Sequence, residues 1–320
     1  MQNAGCDDRT VRRPFFIDSD TASDDAVALV MALRHPDVNV VGISVVAGNV
    51  PLHIGVQNAL YVAEVCGCAD LPVWGGADRP LAVELETGQH VHGQDGMGDI
   101  GLPLGGRVPA GGHGVDALLA ASHRYAGELT LVTLGPLTNV AIALRRDPDL
   151  AERVARCVVM GAVADHIGNQ SAVAEFNMWV DPHAVAVVLD SGLPLELVGW
   201  DISRKYAVLE PDDAVALRAV GTPVAKMCVD IQRTLTQFCL QTTKLTGFDL
   251  PDPIAMAYAI DPSVATATRR LHCTVECTSP LTRGMVVMDI LGFSGQPPNT
   301  VVVTAADRDL FMAMLHASVT

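Results

Sequence analysis

The stretch Phe15-Phe16-Ile17-Asp18-Ser19-Asp20-Thr21-Ala22-Ser23-Asp24-Asp25-Ala26 places four aspartates within eight residues, directly after an apolar run. The apolar residues at 14–17 predict a short buried strand, and those at 26–33 recur at helical spacing. The acids therefore lie on a strand-to-helix turn. In open parallel sheets such turns lie at the carboxyl ends of the strands, where ligands bind.

Four acids are more than the start of a helix requires. Ser23 or Asp24 could cap the helix, because an oxygen at that position satisfies free backbone N–H groups and suits the helix dipole. Carboxylates this close repel one another, and keeping several of them ionised requires a cation or many hydrogen-bond donors. We therefore expect a metal site at this turn, with a merely acidic helix start as the alternative.

The rest of the chain alternates between strand and helix patterns. Its 320 residues, 49% hydrophobic with mean hydropathy +0.30, suffice for one large core, so we expect a single domain over 1–320 with a flexible N-terminus at 1–13. The strand patterns are apolar throughout, which predicts an α/β fold: an open, mostly parallel twisted sheet with helices on both faces. Predicted strands cover 39–47, 129–134, 157–160 and 195–198, predicted helices cover 55–65, 137–144 and 181–189, and strands at 284–289 and 300–304 either complete the sheet or flank it.

Charge and cysteine usage restrict the class of partner. The net charge of −15, with no basic stripe, argues against binding to nucleic acid or an anionic membrane surface. We expect neither a secretory signal nor a membrane span, because no uninterrupted apolar stretch reaches about 18 residues. Eight scattered cysteines without a CxxC pair predict reduced thiols in a cytoplasmic chain and disfavour structural zinc.

Polar residues follow several predicted strands. Gly48-Asn49 follows the second strand, residues 135–139 follow the strand at 129–134, and a loop with Asn169, Glu175 and Asn177 follows the strand at 157–160. For Thr138 and Asn139 we favour a cap or turn role. Together these residues should form one polar pocket beside the acid turn. Its amides and carboxylates suit the hydroxyls of a sugar better than a phosphate, which would call for Arg, Lys or a helix N-terminus.

These segments, in this order, resemble the motifs of the inosine-uridine-preferring nucleoside hydrolases. The matching segments are Asp18 to Ala26, Gly48-Asn49, His92-Gly93, Gly135 to Asn139, Val159-Met160-Gly161, Glu175-Phe176-Asn177 with Asp181-Pro182, Gly199-Trp200-Asp201 and Asp252-Pro253. The resemblance covers nearly the whole chain. It implies an open α/β sheet and calcium-dependent hydrolysis of the N-glycosidic bond of a ribonucleoside, releasing free base and ribose. A homodimer or homotetramer in the cytoplasm is expected with it.

The resemblance also implies roles for individual residues. Asp20, Asp25, Asp252 and the Leu134 carbonyl would hold Ca²⁺, and Asp20 would also act as the general base. The remaining roles concern the substrate: Asp24, Asn49 and Asn177 would bind the 2′- and 3′-hydroxyls, Asn169 and Glu175 the 5′-hydroxyl, Met160 would pack beneath the sugar, and His92 would border the pocket. Asp20, Asp24 and Asn177 form the catalytic set. Carboxylates suit this chemistry because N-glycosidic cleavage builds oxocarbenium character on the ribose.

The chain departs from the family pattern at one position. Typical members have His-Asp-Pro where this chain has Pro251-Asp252-Pro253, and that histidine helps to protonate the leaving base. Proline cannot donate a proton, so another group must act, or the base leaves by another route, or the natural substrate is not a standard nucleoside. Candidate acids are His92, His166, Tyr206, Cys239 and Lys244, with His92 and His166 favoured, and Trp200 and Phe238 could stack on a base.

Two other function classes remain open at this point. Asp18-x-Asp20 after an apolar strand also resembles the Mg²⁺-dependent haloacid-dehalogenase-like phosphatases, in which the first aspartate is the nucleophile. The Asp24-Asp25 pair and the Glu175-Phe176-Asn177 motif do not belong to that pattern. The other class is a non-catalytic nucleoside- or sugar-binding relative that kept the pocket and lost the acid.

Overall fold

The computed structural model describes residues 12–320. The predicted flexible N-terminus falls mostly on residues 1–11, which lie outside the described residues. Arg13 is instead the first residue of strand β1, where its backbone N–H donates to the Asp37 carbonyl at 2.9 Å.

The central sheet has eight strands in the spatial order β3-β2-β1-β4-β5-β6-β12-β9. All neighbouring strands are parallel except β9, which runs antiparallel to β12 at the edge. Two small antiparallel pairs, β7–β8 and β10–β11, lie apart from it. The strands are β1 Arg13–Ser19, β2 Val38–Val45, β3 Val73–Gly75, β4 Leu129–Thr133, β5 Val154–Met160, β6 Leu195–Val198, β7 Val208–Leu209, β8 Phe248–Asp249, β9 Ala265–Leu271, β10 Cys273–Val275, β11 Val286–Met288 and β12 Thr300–Ala306.

Helices cover both faces of this sheet. They are α1 Ser23–Arg34, α2 Leu52–Val65, α3 Gln89–His92, α4 Gly114–Arg124, α5 Thr138–Arg146, α6 Leu150–Arg153, α7 Phe176–Val180, α8 Pro182–Leu189, α9 Trp200–Tyr206, α10 Pro211–Ala219, α11 Pro223–Asp230, α12 Arg233–Phe238, α13 Pro251–Ile260 and α14 Arg308–Val319. A π-helical turn at Cys239–Thr243 extends α12, and a 3₁₀ turn at Pro262–Val264 follows α13.

Alternate side chains of each strand enter two separate cores. In β1, Phe15 and Ile17 belong to the core that includes α1 and α13, whereas Phe16 belongs to the core that includes α5 and α8. This arrangement follows from the two-residue repeat of a strand, and it explains why β1 is apolar at consecutive positions from 14 to 17. The predicted open, mostly parallel sheet with helices on both faces is confirmed.

The sequence left open whether the predicted strands at 284–289 and 300–304 complete the central sheet or flank it. Thr300–Ala306 completes the central sheet, while Val286–Met288 pairs only with Cys273–Val275 and flanks it. Strand β9 was not predicted. Most of its residues are exposed and include Thr, Arg and Ala, so it has no apolar run that would mark a buried strand.

No helix among residues 12–320 is long and apolar enough to cross a membrane.

Side chains link neighbouring strands just where they end. Asp18 of β1 accepts hydrogen bonds from Ser44 of β2 and, at 2.8 Å, from Asn139, which follows β4. The Asn139 amide also accepts from the Ala77 N–H at 2.8 Å. Asn139 is therefore neither the cap nor the turn residue we expected, because its side chain crosses between three strand ends. Thr138 likewise donates to Asp181 at 2.8 Å.

We predict that Asn139→Ala lowers the free energy of unfolding by about 2–4 kcal/mol, because at least two buried polar groups lose their partners. Urea denaturation measures the change. The matched control is Asn39→Ala, on the exposed part of β2, which should stay within about 0.5 kcal/mol of the parent. Equal stability of the two variants would contradict the structural role of Asn139.

Candidate active site

The carboxyl ends of the parallel strands enclose one cavity, and most of the predicted site residues lie on its wall. The wall combines carboxylates, amides, aromatic rings and aliphatic side chains. Its residues are Asp24, Asn49, Gly88, Val91, His92, Leu134, Met160, Asn169, Gln170, Glu175, Phe176, Asn177, Trp200, Leu235, Phe238, Cys239, Thr243, Asp249, Pro251 and Asp252. The sequence-based expectation that three polar strand ends meet beside the acid turn agrees with this arrangement.

Asp25 organises the start of helix α1. Its Oδ2 accepts from the Ala22 backbone N–H at 2.9 Å, and its Oδ1 accepts from Ser19 Oγ at 2.6 Å. Asp25 therefore satisfies a free N–H at the helix start, whereas we expected this capping role of Ser23 or Asp24.

Asp20 is fully buried between two strand-end turns. Its Oδ2 accepts from the Asn49 backbone N–H at 2.6 Å, whereas its Oδ1 has no hydrogen-bond partner in the described chain. Gly48 and Gly135 allow this close approach, since a Cβ at Gly135 would lie 2.7 Å from Asp20 Oδ1 and one at Gly48 would overlap Oδ2. The two glycines thus keep the space around the carboxylate open.

Three carboxylates converge beside Asp20. One oxygen from each of Asp24, Asp25 and Asp252 lies within 4.8 Å of the others, and all three side chains are buried. Asp24 Oδ1 also lacks a hydrogen-bond partner among residues 12–320. The cluster contains two of the three predicted aspartate ligands, Asp25 and Asp252, and adds Asp24.

Burial raises the pKa of Asp20, Asp24 and Asp252 well above the ordinary aspartate value, and the neighbouring Asp25 charge raises each of them further. Uncompensated carboxylates in such a place carry a large desolvation penalty. A cation offsets that penalty. An all-oxygen ligand set suits hard cations such as Ca²⁺ or Mg²⁺ rather than zinc, so the residues present fit such an ion.

Asn177 connects this cluster to the next strand end. Its Nδ2 donates to the Leu134 carbonyl at 2.7 Å, while its Oδ1 is buried without a partner in the described part of the chain. The Leu134 carbonyl keeps a second lone pair, so it remains able to contact a cation. Met160 ends β5 beside this amide, with its Sδ 3.4 Å from Asn177 Nδ2.

Glu175 uses its carboxylate to hold the backbone. It caps α7 by accepting from the Asn177 and Met178 N–H groups at 2.9 and 3.3 Å, and it accepts from the Ala162 N–H at 3.1 Å. Burial raises its pKa to about 7. Asn169 Oδ1 similarly accepts from the Phe176 N–H at 2.8 Å. Both residues line the cavity, but much of their acceptor capacity is already used within the protein.

His92 lines the cavity as a neutral imidazole. Its Nδ1 lies 2.9 Å from Ser23 Oγ and 3.7 Å from Asp24 Oδ1. Burial, followed by the charge of His90, lowers its pKa to about 3. At neutral pH His92 therefore carries no extra proton to give to a leaving group.

The other acid candidates differ in position. Cys239 is on the cavity wall, with a thiol whose pKa is raised by burial to about 12. The described residues of the wall do not include His166, Tyr206 or Lys244. His166 and Lys244 are exposed, and the Lys244 ammonium donates to the Gln241 carbonyl at 2.6 Å. Trp200 and Phe238, considered for stacking on a base, do line the cavity.

Sequence reasoning missed Asp249. This residue ends β8, three positions before Asp252, and its buried side chain lies on the cavity wall. Trp200 Nε1 donates to Asp249 Oδ2 at 2.7 Å, and Ser203 Oγ donates to the same oxygen at 2.9 Å. The available signal was the spacing of two acids at positions i and i+3 around Pro251.

The phosphatase alternative requires Asp18 to attack a substrate. Asp18 is fully buried, bonded to Ser44 and Asn139, and it is absent from the described wall of the cavity. Burial raises its pKa to about 7. A side chain held in this way links strands and does not present a nucleophile.

Known proteins share both sequence and fold with this chain. A family model described as inosine-uridine preferring nucleoside hydrolase matches residues 15–313. The pyrimidine-specific ribonucleoside hydrolase RihA of Salmonella enteritidis is 34% identical over 307 residues, covering 94% of this chain and 96% of that protein. RihA of a Shewanella species is 34% identical over 305 residues, covering 95% of each.

Two solved structures give the same result. A plant nucleoside hydrolase superposes with a TM-score of 0.89 at 28% identity, covering 96% of this chain and 99% of that one. An inosine-guanosine nucleoside hydrolase superposes with a TM-score of 0.88 at 30% identity, covering 97% and 99%. Enzymes of this family depend on a metal ion, and the aspartate cluster has the geometry to hold one. The chain therefore belongs to the inosine-uridine preferring nucleoside hydrolase family, and it is a hydrolase that splits ribonucleosides into base and ribose.

Proposed function

We propose that this enzyme works with one Ca²⁺ held by Asp20, Asp25, Asp252 and the Leu134 carbonyl. The observation that carries the proposal is the buried cluster of Asp24, Asp25 and Asp252 beside Asp20, because Asp24 Oδ1 and Asp20 Oδ1 have no partner within residues 12–320. Calcium takes six to eight oxygen ligands, so water and ribose hydroxyls can complete its shell. When bound, the ion supplies positive charge that favours ionisation of a water and orients the sugar diol.

The ribose site is proposed to lie beside that cluster. Asp24, Asn49 and Asn177 line the cavity there, and the free Oδ1 atoms of Asp24 and Asn177 can accept from the 2′- and 3′-hydroxyls. The Met160 Sδ lies 3.4 Å from Asn177 Nδ2, which supports the proposal that Met160 packs beneath the sugar. Asn169 and Glu175 are proposed to face the 5′-hydroxyl, and His92 to border the nucleoside.

The reaction then follows from the charges of the site. As the C1′–N bond lengthens, positive charge develops on the ribose, and Asp24 and the neighbouring carboxylates stabilise it. Asp20 takes a proton from the attacking water, because its Oδ1 has no hydrogen-bond partner in the described structure and is free to accept that proton. Asn177 fixes the position of the diol relative to the Leu134 carbonyl, since its amide donates directly to that carbonyl.

The oligomeric state and the cellular location of the enzyme are further parts of this proposal. We propose a homodimer or homotetramer acting on a small nucleoside in the cytoplasm. The seven described cysteines are free thiols, which supports a reducing compartment. The relatives include a pyrimidine-specific enzyme and an inosine-guanosine hydrolase, so both classes of base deserve assay.

Removal of the ion should abolish activity and lower stability. We expect about one calcium per chain after mild purification, and loss of it in Asp252→Asn, because that change removes one charged oxygen ligand. Elemental analysis measures the metal, and thermal unfolding with and without chelator measures its contribution, about 2.7 kcal/mol when free calcium is 100 times Kd. Asp201→Asn, a buried aspartate away from the cavity wall, is the matched control. Stoichiometric zinc, or full calcium retention in Asp252→Asn, would refute the assignment.

The activity lost on a sugar analogue should depend on whether the missing hydroxyl had a free hydrogen-bond acceptor in the site. We expect 2′-deoxyuridine to lose about 10²-fold or more in kcat/KM relative to uridine, because Asp24, Asn177 and the ion would lose a hydroxyl partner. Uridine lacking its 5′-hydroxyl should lose less, since the Glu175 and Asn169 oxygens already accept backbone N–H groups. Steady-state kinetics on the three substrates decide this. Equal rates on uridine and 2′-deoxyuridine would be inconsistent with the proposed ribose site.

A further inference from the structure

Asp249 is a buried acid in the cavity wall that the mechanism above does not use. Four acidic residues line the described cavity: Asp24, Glu175, Asp249 and Asp252. Asp24 and Asp252 belong to the carboxylate cluster, and Glu175 caps α7 with both oxygens. Asp249 alone among these four is outside the cluster and holds no helix start. Burying such a carboxyl in a wall that also contains Trp200, Leu235 and Phe238 is costly unless hydrogen bonds or protonation offset the loss of water.

The two oxygens of Asp249 have different surroundings. Oδ2 accepts from the Trp200 indole N–H at 2.7 Å and from the Ser203 hydroxyl at 2.9 Å. Among the described residues, the side chain that hydrogen-bonds to Oδ1 is the Cys239 thiol at 3.6 Å, which is a weak donor. An indole nitrogen can only donate, so Oδ2 must remain an acceptor. A proton on this carboxyl therefore resides on Oδ1.

The neighbours of Asp249 are those that a nucleobase needs. Trp200 and Phe238 present rings to the cavity, and Leu235 and Val91 add apolar surface. The hydroxyl-binding residues Asn49 and Asn177 and the carboxylate cluster follow other strand ends. With a ribose at those strand ends, the aromatic part of the wall, where Trp200 bonds to Asp249, is the apolar surface left for the base.

We propose that Asp249 is the catalytic acid that protonates the leaving base, in the role that Pro251 cannot fill. This inference rests on the proposed ribose site. The Oδ1–H bond breaks and its proton passes to a ring nitrogen or carbonyl oxygen of the base, while the C1′–N bond breaks and its electron pair remains with the base. Water adds to C1′ and gives its proton to Asp20. Asp249 is left as a carboxylate, stabilised by the indole N–H and the hydroxyl, and regains its proton from solvent.

Burial provides independent support for the protonated form. Removal of Asp249 from water raises its pKa, so the carboxylic acid persists closer to neutral pH than for an exposed aspartate. The hydrogen bonds from Ser203 and Trp200 lower the pKa in the opposite direction, and they also stabilise the carboxylate that forms when the proton leaves. His92, by contrast, is neutral at the same pH.

Two substrates with different leaving groups distinguish a loss of proton donation from other effects of a substitution. Uridine and inosine need protonation of the base, whereas p-nitrophenyl riboside releases a stable phenolate without it. Asp249→Asn and Asp249→Ser should lower kcat for uridine or inosine by about 10²- to 10⁴-fold and keep the p-nitrophenyl riboside rate within about threefold of the parent. The matched control is Asp201→Asn, a buried aspartate off the cavity wall, which should keep both rates.

Each outcome of these assays either supports or contradicts one stated claim. Retained p-nitrophenyl riboside hydrolysis shows that the variant is folded and its ribose site intact, so selective loss on nucleosides supports the acid role of Asp249. Unchanged nucleoside turnover in either variant overturns that role, and so does an equal loss on both substrates in a variant whose circular dichroism spectrum is native. A parent enzyme that hydrolyses neither substrate would instead contradict the proposed function itself.

Discussion

Buried carboxylates at the carboxyl ends of the parallel strands are the constraint on which the rest of this structure depends. Asp18, Asp20, Asp24, Asp25 and Asp252 are all at most 5% exposed. Removing a carboxylate from water is costly, and placing several together adds mutual repulsion. The surrounding structure must therefore supply donors, open space for a cation, or protonation.

The neighbouring elements supply the hydrogen-bond donors and the open space in different ways. Ser44 and Asn139 donate to Asp18, the Asn49 N–H donates to Asp20, and Ser19 donates to Asp25. Gly48 and Gly135, which follow the adjoining strands β2 and β4, keep side chains away from Asp20. Three carboxylate oxygens of this segment, Asp18 Oδ2, Asp20 Oδ1 and Asp24 Oδ1, are left without partners in the described structure, and those of Asp20 and Asp24 are the ones to which the proposed mechanism gives a role. Acids that hold the fold and acids proposed to act in catalysis thus share one short segment but have different surroundings.

In the aromatic part of the cavity, one residue likewise has both a structural role and contacts in the site. Trp200 forms part of the core that includes α1, lines the cavity and donates its N–H to Asp249, so one side chain stabilises the fold and also orients an acid. The sequence suggested Trp200 as a residue that could stack on a base, and its burial makes it a core residue as well. The structure makes these descriptions compatible, because Trp200 begins α9, where the core meets the strand ends.

The sequence by itself determined the α/β sheet, the acid turn and most of the polar residues that line the cavity, because these depend on contiguous apolar runs and on polar residues that directly follow them. Only the tertiary structure decided which groups Asn139, Glu175, His92 and Asp249 contact. Asn139 bonds to Asp18 across 121 positions, and Trp200 reaches Asp249 across 49. Such pairings, and the burial that neutralises His92, arise from strand order and packing, which no local pattern of residues encodes.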